Sequence, residues 1–167
     1  MPTMNRVVNH IALHVPDIDA AVDWYTTLFG FRKLKDSPRH SIRSQNPDAP
    51  VFRVYDGRLQ SFKVAFLTTG NGVGFELFQF IDPPMSEPSS FNYTRGGVFH
   101  VAITDHDPEG LCEKVVKAGG RKIGETVVPA SVKEGERECT LYVQDPWGNV
   151  LEICSCSFEK LMANRGV

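Results

Sequence analysis

The chain has 167 residues, of which 41% are hydrophobic and 23% are charged, and its formal net charge is -2. This balance is typical of a globular protein, and it offers neither the basic patch of a nucleic-acid-binding protein nor a polybasic membrane-binding segment. Because no apolar run approaches the roughly 20 residues that span a bilayer, and the N-terminus lacks the apolar stretch of a secretory signal, we expect a cytoplasmic protein with no membrane or nucleic-acid partner.

The sequence contains two copies of one pattern, in which a strand is followed by a helix and then by further strands. The first copy opens with HIALHVPDIDAAVDWYTTLFGF at residue 10, where Asp17 caps the helix and Gly30 ends it. The second copy opens with HVAITDHDPEGLCEKVVKAGG at residue 100, where Asp107 caps a helix that ends at Gly119. Alternation predicts further strands at residues 62–67, 75–80, 122–128, 139–143 and 151–156.

The repeat predicts an α+β chain made of two modules. The first module covers residues 1–81, a linker rich in Pro and Ser covers residues 82–97, and the second module with a C-terminal tail covers residues 98–167. Each half is too short to build a good core alone, so we expect one integrated domain. Residues 36–59 break the symmetry as an inserted loop, which is either a lid or binding loop or a solvated loop without function.

Each copy carries a histidine on its first strand and a glutamate on its last strand. A lone histidine is usually a satisfied core or surface residue, and a glutamate among apolar residues often lies on the solvated face of a sheet. The repetition argues for a shared role, because two independent accidents at matching points are rare. If a pseudo-twofold axis relates the halves, two imidazoles and two carboxylates converge, a set that suits Fe²⁺, Ni²⁺, Co²⁺, Zn²⁺ or Mn²⁺. The residues are His10, Glu76, His100 and Glu152.

The cysteines show neither CxxC spacing nor the density of a disulfide scaffold. Two of them, Cys154 and Cys156, stand two residues apart on a strand and therefore point to one face. Buried reduced thiols are one interpretation of the four, and a zinc site is the other. The remaining two are Cys112 and Cys139.

Four segments of the chain resemble the vicinal oxygen chelate superfamily, which includes glyoxalase I, methylmalonyl-CoA epimerase, extradiol dioxygenases, and fosfomycin- and bleomycin-resistance proteins. The segments read HIALHVPDIDAAVDWYTTLFGF, FELFQF, FHVAITDHD and DPWGNVLEI, and the resemblance spans about residues 7–157. It implies two βαβββ modules that form a cupped, barrel-like mixed sheet around a divalent metal ion, a small-molecule substrate and a homodimer. The family's ligand positions fall on His10, Glu76, His100 and Glu152.

The ligand types resemble those of glyoxalase I most closely. The dioxygenase and fosfomycin branches typically use two histidines and one glutamate, whereas Glu76 supplies a fourth ligand here, and in glyoxalase I a ligand glutamate also acts as the base. Bacterial glyoxalase I has glutathione-binding Arg and Asn where this chain has His14 and Phe80, so glutathione is a poor fit. The additional catalytic glutamate of methylmalonyl-CoA epimerase corresponds to Leu59. We therefore expect Glu76 and Glu152 to act in an isomerase or lyase whose substrate carries adjacent oxygens.

Several polar residues have two interpretations. His14 shares the ligand face of its strand and is either a catalytic acid–base or substrate-binding residue or a plain polar lining. Basic side chains on loops either hold an anionic group or face solvent. An Fe²⁺-dependent ring-cleaving dioxygenase and a resistance protein that sequesters a small molecule without chemistry are the alternative functions. The basic loop residues are Arg39, His40, Arg43, Lys133 and Arg137.

Overall fold

The computed structural model describes residues 5–86, 91–94, 96–128 and 138–163. The chain divides into two compact units, Met1–Glu87 and Pro88–Val167, called the first and the second unit below. Residues 87–90 and residue 95 of the predicted linker lie outside the described ranges. The packing of the halves into one integrated domain stays a prediction.

Each unit has the strand–helix–strands order that the repeat predicts. Over the described residues, the first unit contains β1 (His10–His14), α1 (Ile18–Phe29), β2 (Arg32–Lys33), β3 (Arg39–Ile42), α2 (Pro50–Val54), β4 (Ser61–Thr68) and β5 (Gly74–Asp82). The second contains β6 (Val101–Thr104), α3 (Pro108–Lys117), β7 (Arg121–Val127), β8 (Thr140–Gln144), β9 (Val150–Cys154) and α4 (Phe158–Ala163). In the part of the chain that the structure describes, every helix is too short or too polar to cross a membrane.

The two long helices begin and end where their capping residues predict. The Asp17 carboxylate accepts hydrogen bonds from the first backbone amides of α1, and Gly30 ends that helix with a φ of 64°. The Asp107 carboxylate accepts from the Gly110 amide at the start of α3, which has Pro108 at its first turn. Local sequence therefore fixes both helices, and each then packs on the sheet of its own unit.

The sheets are mixed and repeat one topology. In the first unit the strand order is β1-β5-β4-β2, with β3 also paired to β4, and in the second unit it is β6-β9-β8-β7. The strand that precedes each long helix runs parallel to the last strand of its module, and the other neighbours are antiparallel. The predicted α+β class with two βαβββ modules is confirmed.

The predicted inserted loop at residues 36–59 is corrected by the structure, because it contains β3 and α2. Arg39 pairs with Val64 on β4, and Val127 of β7 pairs with Thr140 at the matching register of the second unit. Strands β2 and β3 therefore together form the edge that β7 forms alone. Residues Arg39–Ile42 read RHSI, which is short and polar, so alternation gave no strand signal.

An aromatic cluster fills the space between α1 and the sheet of the first unit. Tyr25 is fully buried and packs against Phe75 of β5 with the ring centroids 4.9 Å apart, and Phe31 packs against Phe75 at 5.0 Å. Trp24 packs edge-on against Tyr25 at 4.9 Å and is 9% exposed. This burial, which is worth roughly 1.5–3 kcal/mol for each large side chain, holds α1 on one face of the sheet.

A second apolar cluster covers the opposite face of the same sheet. Phe52 of α2 packs edge-on against Phe62 of β4 at 5.4 Å, and Leu59 and Val64 are buried in the same cluster. Partly buried Phe78 lines this cluster from β5. Because side chains alternate along β5, this is also the face that carries Glu76.

The second unit buries its core between α3 and its sheet. Leu141, Val143 and Ile153 are completely buried there. The turn that joins β8 to β9 is closed by Asp145, whose carboxylate accepts hydrogen bonds from the Trp147 and Asn149 amides at 3.0 and 2.7 Å. This rigid connection fixes β9, which carries Glu152, against its neighbours.

Candidate metal-binding half-sites

His10 and Glu76 lie side by side in the first unit. In the parallel pairing of β1 and β5, Ala12 lies opposite Glu76, so the small alanine leaves room for His10 to approach diagonally. The His10 Nε2 atom lies 3.7 Å from Glu76 Oε2, and the side chains are 50% and 23% exposed. The predicted ligands of this module are thus neighbours on one face.

The geometry of this first pair suits a cation. His10 Nδ1 lies 2.8 Å from Asn9 Oδ1, and in the tautomer that donates this hydrogen bond Nε2 presents its lone pair beside the carboxylate. At 3.7 Å the two groups are too far apart for a good direct hydrogen bond. A nitrogen and an oxygen lone pair on one partly solvated face form a typical part of a divalent-metal site.

His100 and Glu152 repeat this arrangement in the second unit. Ala102 lies opposite Glu152 in the pairing of β6 and β9, so the register of the first module recurs residue for residue. The His100 Nε2 atom lies 3.3 Å from Glu152 Oε2, and the side chains are 26% and 17% exposed. The His100 ring packs edge-on against Tyr142 with centroids 5.3 Å apart, which orients its Nε2 atom.

The two glutamates differ in their hydrogen-bond partners. Thr140 donates its hydroxyl to Glu152 Oε1 at 2.6 Å, and Tyr142 lies directly opposite Glu152 in the pairing of β8 and β9. Burial, together with the neighbouring carboxylate, raises the pKa of Tyr142 to about 12, so this hydroxyl stays protonated. In the first module, Val64 of β4 occupies the position that matches Thr140, and Phe66 occupies the position that matches Tyr142. Both residues beside Glu76 are therefore apolar. Glu152 therefore accepts a hydroxyl hydrogen bond from Thr140, which Val64 at the matching position of the first module cannot donate.

Sequence reasoning found the histidines and glutamates but missed Thr140 and Tyr142. Both lie on the same face of β8 as the side chain of Glu152 on β9. A threonine and a tyrosine two residues apart on a predicted strand carry no motif by themselves. A signal is present only when the two modules are aligned, because the positions of Thr140 and Tyr142 are polar in the second module, whereas Val64 and Phe66 make them apolar in the first.

His14 lies on the same face of β1 as His10 and borders a cavity of about 350 Å³, called the His14 cavity below. Its ring packs edge-on against Phe80 with the centroids 4.8 Å apart. Burial lowers the pKa of His14 below its usual value of 6.5, so the imidazole is neutral at pH 7. The cavity also touches Leu59, the position that corresponds to the additional catalytic glutamate of methylmalonyl-CoA epimerase.

Two arginines predicted as possible anion ligands are engaged with the backbone. Arg43 donates to the carbonyl oxygens of Leu59, Phe52 and Asp56 at 2.6, 3.3 and 2.8 Å, and its guanidinium lies over the Phe52 ring. Arg39 donates to the Asp36 carbonyl at 3.0 Å. These contacts tie the segment between β3 and β4 together.

The remaining basic candidates are a histidine on β3 and two residues further along the chain. His40 lies 2.9 Å from the Ser61 hydroxyl through its Nε2 atom. Lys133 and Arg137 lie outside the described residues.

The cysteines stay separate from any larger ligand group. All four are free thiols, and Cys112 and Cys154 are buried. Desolvation raises the pKa of Cys112, Cys139 and Cys154, which keeps these thiols protonated. Over the described residues, no group of three or more His, Cys, Asp and Glu side chains lies close enough to hold a metal ion. The zinc interpretation of the cysteines therefore finds no support in these residues, and each His–Glu pair, called a half-site below, brings together two of the four predicted ligands.

The chain matches the model of one protein family over residues 7–153, described as the glyoxalase/bleomycin resistance protein/dioxygenase superfamily. Among characterised proteins it is similar to a 2-epi-5-epi-valiolone epimerase from an Actinomyces species. The two are 28% identical over 154 residues, which cover 87% of this chain and 77% of the epimerase.

Solved structures share the fold at low sequence identity. A glyoxalase family protein from Bacillus cereus superposes with a TM-score of 0.67 at 16% identity, covering 92% of this chain and 97% of its own. A variant of a fosfomycin resistance protein from Listeria monocytogenes, in complex with Mn(II) and 1S,2S-dihydroxypropylphosphonic acid, superposes with a TM-score of 0.58. The two sequences are 14% identical, and the superposition covers 94% of this chain and 98% of the fosfomycin resistance protein.

Proposed function

The chain belongs to the glyoxalase/bleomycin resistance protein/dioxygenase superfamily, and on that premise we propose that it is a metal-dependent isomerase. The substrate is a small molecule with adjacent oxygens, and the reaction moves a proton next to a carbonyl group. The observation that carries this proposal is the repeated His–Glu pair, at 3.7 Å in the first unit and 3.3 Å in the second, at the same register in both modules.

We propose that both half-sites serve one divalent cation. The ligands are two neutral imidazoles and two carboxylates, which fit Fe²⁺, Ni²⁺, Co²⁺, Zn²⁺ or Mn²⁺. When bound, such an ion polarises a carbonyl oxygen and so makes the neighbouring carbon acid easier to deprotonate. The ligands are His10, Glu76, His100 and Glu152.

The hydrogen bonds of the glutamates suggest different roles for them. Glu152 accepts a hydrogen bond from the Thr140 hydroxyl, which fixes the orientation of its carboxylate. Such a carboxylate suits a permanent ligand. Glu76 lies beside apolar Val64 and Phe66 on β4, whose side chains donate no hydrogen bond, so its carboxylate is freer to turn toward a proton of the substrate. We assign Glu76 as the base and Glu152 as the positioned ligand.

The similarity to an epimerase favours proton transfer over other chemistry of the superfamily. An epimerase inverts one carbon centre. A base removes the proton from one face, and a proton is then delivered to the opposite face, either by a second donor such as water or after the deprotonated substrate has turned over. The relative is named for the epimerisation of 2-epi-5-epi-valiolone, and that reaction is the first to test here. A homodimer and a cytoplasmic location complete the proposal, and sedimentation and cell fractionation test them.

Deuterium exchange followed by proton NMR tests the proposed chemistry. The chelator-stripped protein is reloaded separately with each of the five cations and incubated with 2-epi-5-epi-valiolone in D₂O. We expect loss of the signal from the proton next to the carbonyl with loaded protein and none with stripped protein. Glu76→Gln should lower the exchange rate by at least about 100-fold, whereas Glu113→Gln on the exposed face of α3 is the matched control.

Metal content is measured on each variant so that loss of the ion and loss of the base are separated. A Glu76→Gln protein that keeps both the ion and the exchange rate would contradict the assignment of the base. Exchange by the stripped protein would contradict the requirement for metal. Oxygen uptake with catechols in place of proton exchange would identify the ring-cleaving dioxygenase instead.

A further inference from the structure

The His14 cavity is built almost entirely by segments outside the His–Glu pair. Its walls come from the turn between α2 and β4, from the end of β5 and from the residues that follow it. At about 350 Å³ it has the size of a small-molecule site. The lining side chains used below are His14, Tyr55, Asp56, Arg58 and Phe80.

One side of the cavity is aromatic. His14 and Tyr55 both meet the Phe80 ring edge-on, with centroids 4.8 and 6.1 Å away. Phe78 stacks on Phe80 at 5.7 Å with an interplanar angle of 13°, which supports that ring from behind. An aromatic surface of this kind accepts the C–H faces of a saturated ring and buries apolar area without requiring charge.

The polar side of the cavity is electrically balanced. Arg58 Nη2 lies 2.8 Å from Asp56 Oδ2, and Arg58 Nε donates to the same oxygen at 2.9 Å. Among the lining residues that the structure describes, Arg58 and Asp56 supply the formal charges, and these cancel. The neighbouring Arg43 is committed to three backbone carbonyls. Such a rim offers many hydrogen-bond donors and acceptors but no net positive charge for an anion.

The cavity lies at a useful distance from the proposed base. His14 pairs with Phe78 in the register of β1 and β5, two residues beyond the pairing of Ala12 with Glu76. At about 3.3 Å per residue this places His14 about 7 Å along the strand from the level of Glu76. A six-membered ring bearing hydroxyl groups spans that distance.

We infer that the His14 cavity selects an uncharged, hydroxyl-rich ring as the body of the substrate and discriminates against phosphorylated or carboxylated analogues. This inference rests on the proposed function, because it assumes that the reacting carbon lies at Glu76. The ring would place its C–H face on Phe80 and its hydroxyls against Asp56, Arg58 and His14. Burial lowers the pKa of His14, so its imidazole adds no positive charge at pH 7 and can donate or accept one hydrogen bond.

The test is calorimetric binding to the chelator-stripped protein, with an uncharged polyhydroxycyclohexanone and its monophosphate ester as probes. We expect the wild-type protein to bind the uncharged ketone at least about tenfold more tightly than the phosphate ester. Tyr55→Ala should weaken binding of the uncharged ketone, because Tyr55 is 51% exposed and its loss removes part of the aromatic wall without opening the core. A circular dichroism melt checks that this variant is folded.

Asp56→Asn is the sharpest variant. Asparagine keeps an oxygen that can accept from the Arg58 amide, as Asp56 Oδ1 does at 2.9 Å, but it removes the charge that neutralises the guanidinium. Affinity for the phosphate ester should rise by about tenfold, with little change for the ketone. Asp19→Asn is the control, because it makes the same chemical change in the same unit and releases Lys63, which lies 3.3 Å from Asp19 and outside the cavity lining.

Three results would overturn the inference. They are tighter wild-type binding of the phosphate ester, identical behaviour of Asp56→Asn and Asp19→Asn, and failure of both probes to bind. Because binding is measured without metal and proton exchange with metal, the two proposals fail separately. If the protein binds the ketone but catalyses no proton exchange, the catalytic proposal is wrong. If it catalyses exchange but does not bind the ketone, the inference about this cavity is wrong.

Discussion

At the scale of single residues, the contrast between the two glutamates makes Thr140 the most informative position outside the four proposed ligands. Its hydroxyl donates to Glu152 at 2.6 Å, and removing a hydrogen-bond partner of a metal ligand typically lowers metal affinity by about 10–100-fold. We therefore expect Thr140→Val to weaken divalent-cation binding by at least about tenfold. Titration of the stripped protein against a competing chelator measures this directly.

A conservative substitution distinguishes positioning from packing at this residue. Thr140→Ser keeps the hydroxyl while removing the methyl group, so cation affinity should return close to that of the wild type. Equal affinity of wild type and Thr140→Val would show that the Thr140 hydroxyl does not position Glu152 for cation binding. A melt of both variants excludes loss of the fold as the cause.

Part of the site could be read from residue types, and part could not. His10, Glu76, His100 and Glu152 were identified because the same two residue types recur at matching points, and the structure places them as two close pairs. The roles of Thr140 and Tyr142 depend on the register of β8 against β9, which is a long-range property. The engagement of Arg43 with backbone carbonyls likewise depends on a fold that local sequence does not encode.

At the scale of elements, a polar contact joins α3 to β7 in the second unit. Glu109 near the start of α3 accepts hydrogen bonds from Thr126 and from Lys122, whose Nζ lies 3.2 Å away. The hydrogen bond from Thr126 is the main cause that lowers the pKa of Glu109 below its usual value of 4.5, and Lys122 contributes less. The folded state thus favours the ionised form of Glu109. This contact therefore stabilises the folded protein fully at pH values above the pKa of the unfolded state, and the stabilisation is lost as the pH falls through the lower pKa of the folded state.

We expect Glu109→Gln to lower the melting temperature at pH 7, and we expect this difference to shrink as the pH falls below 4.5. The side chain is 54% exposed, so the shift at pH 7 should be at most about 3 °C. Thermal melts across this pH range measure it, with Glu113→Gln on the same helix as the matched control. A difference that persists unchanged at pH 3 would show that packing, and not the carboxylate charge, is responsible.

The helices were more predictable from sequence than the edge strands. Caps such as Asp17 and Gly30 act within one turn of chain, so α1 and α3 begin and end as predicted. The sequence predicts β3 as part of a loop, because its four residues show no alternation. Its pairing partner β4 is also distant in sequence, since Ser61 begins β4 19 residues after Ile42 ends β3. Its pairing to β4 supplies the backbone hydrogen bonds that its own sequence does not predict.

At the scale of the whole molecule, the proposal of one cation for both half-sites makes a thermodynamic prediction. Stripped protein should take up one ion per chain. His10→Ala and His100→Ala should each weaken binding of this same ion by at least about tenfold, and the double variant should bind it more weakly still, since only two of the four proposed ligands remain. Titration calorimetry with Zn²⁺ or Mn²⁺ gives both stoichiometry and affinity.

Independent half-sites would behave differently. Each single variant would then still bind one ion with wild-type affinity, and only the double variant would weaken the binding of both ions. Uptake of two ions per chain would likewise contradict a shared site. Circular dichroism on the stripped variants checks that both histidines can be removed without unfolding the chain.

The placement of the tryptophans gives the protein two built-in optical probes. The sequence has two tryptophans, and Trp24 is nearly buried in the aromatic cluster of the first unit, whereas Trp147 is half-buried in the turn between β8 and β9 of the second. Because indole emission shifts to the red with exposure to water, the two residues should fluoresce at different wavelengths. Single Trp→Phe variants would then show, during one denaturant titration, whether the two units unfold at one midpoint or at two.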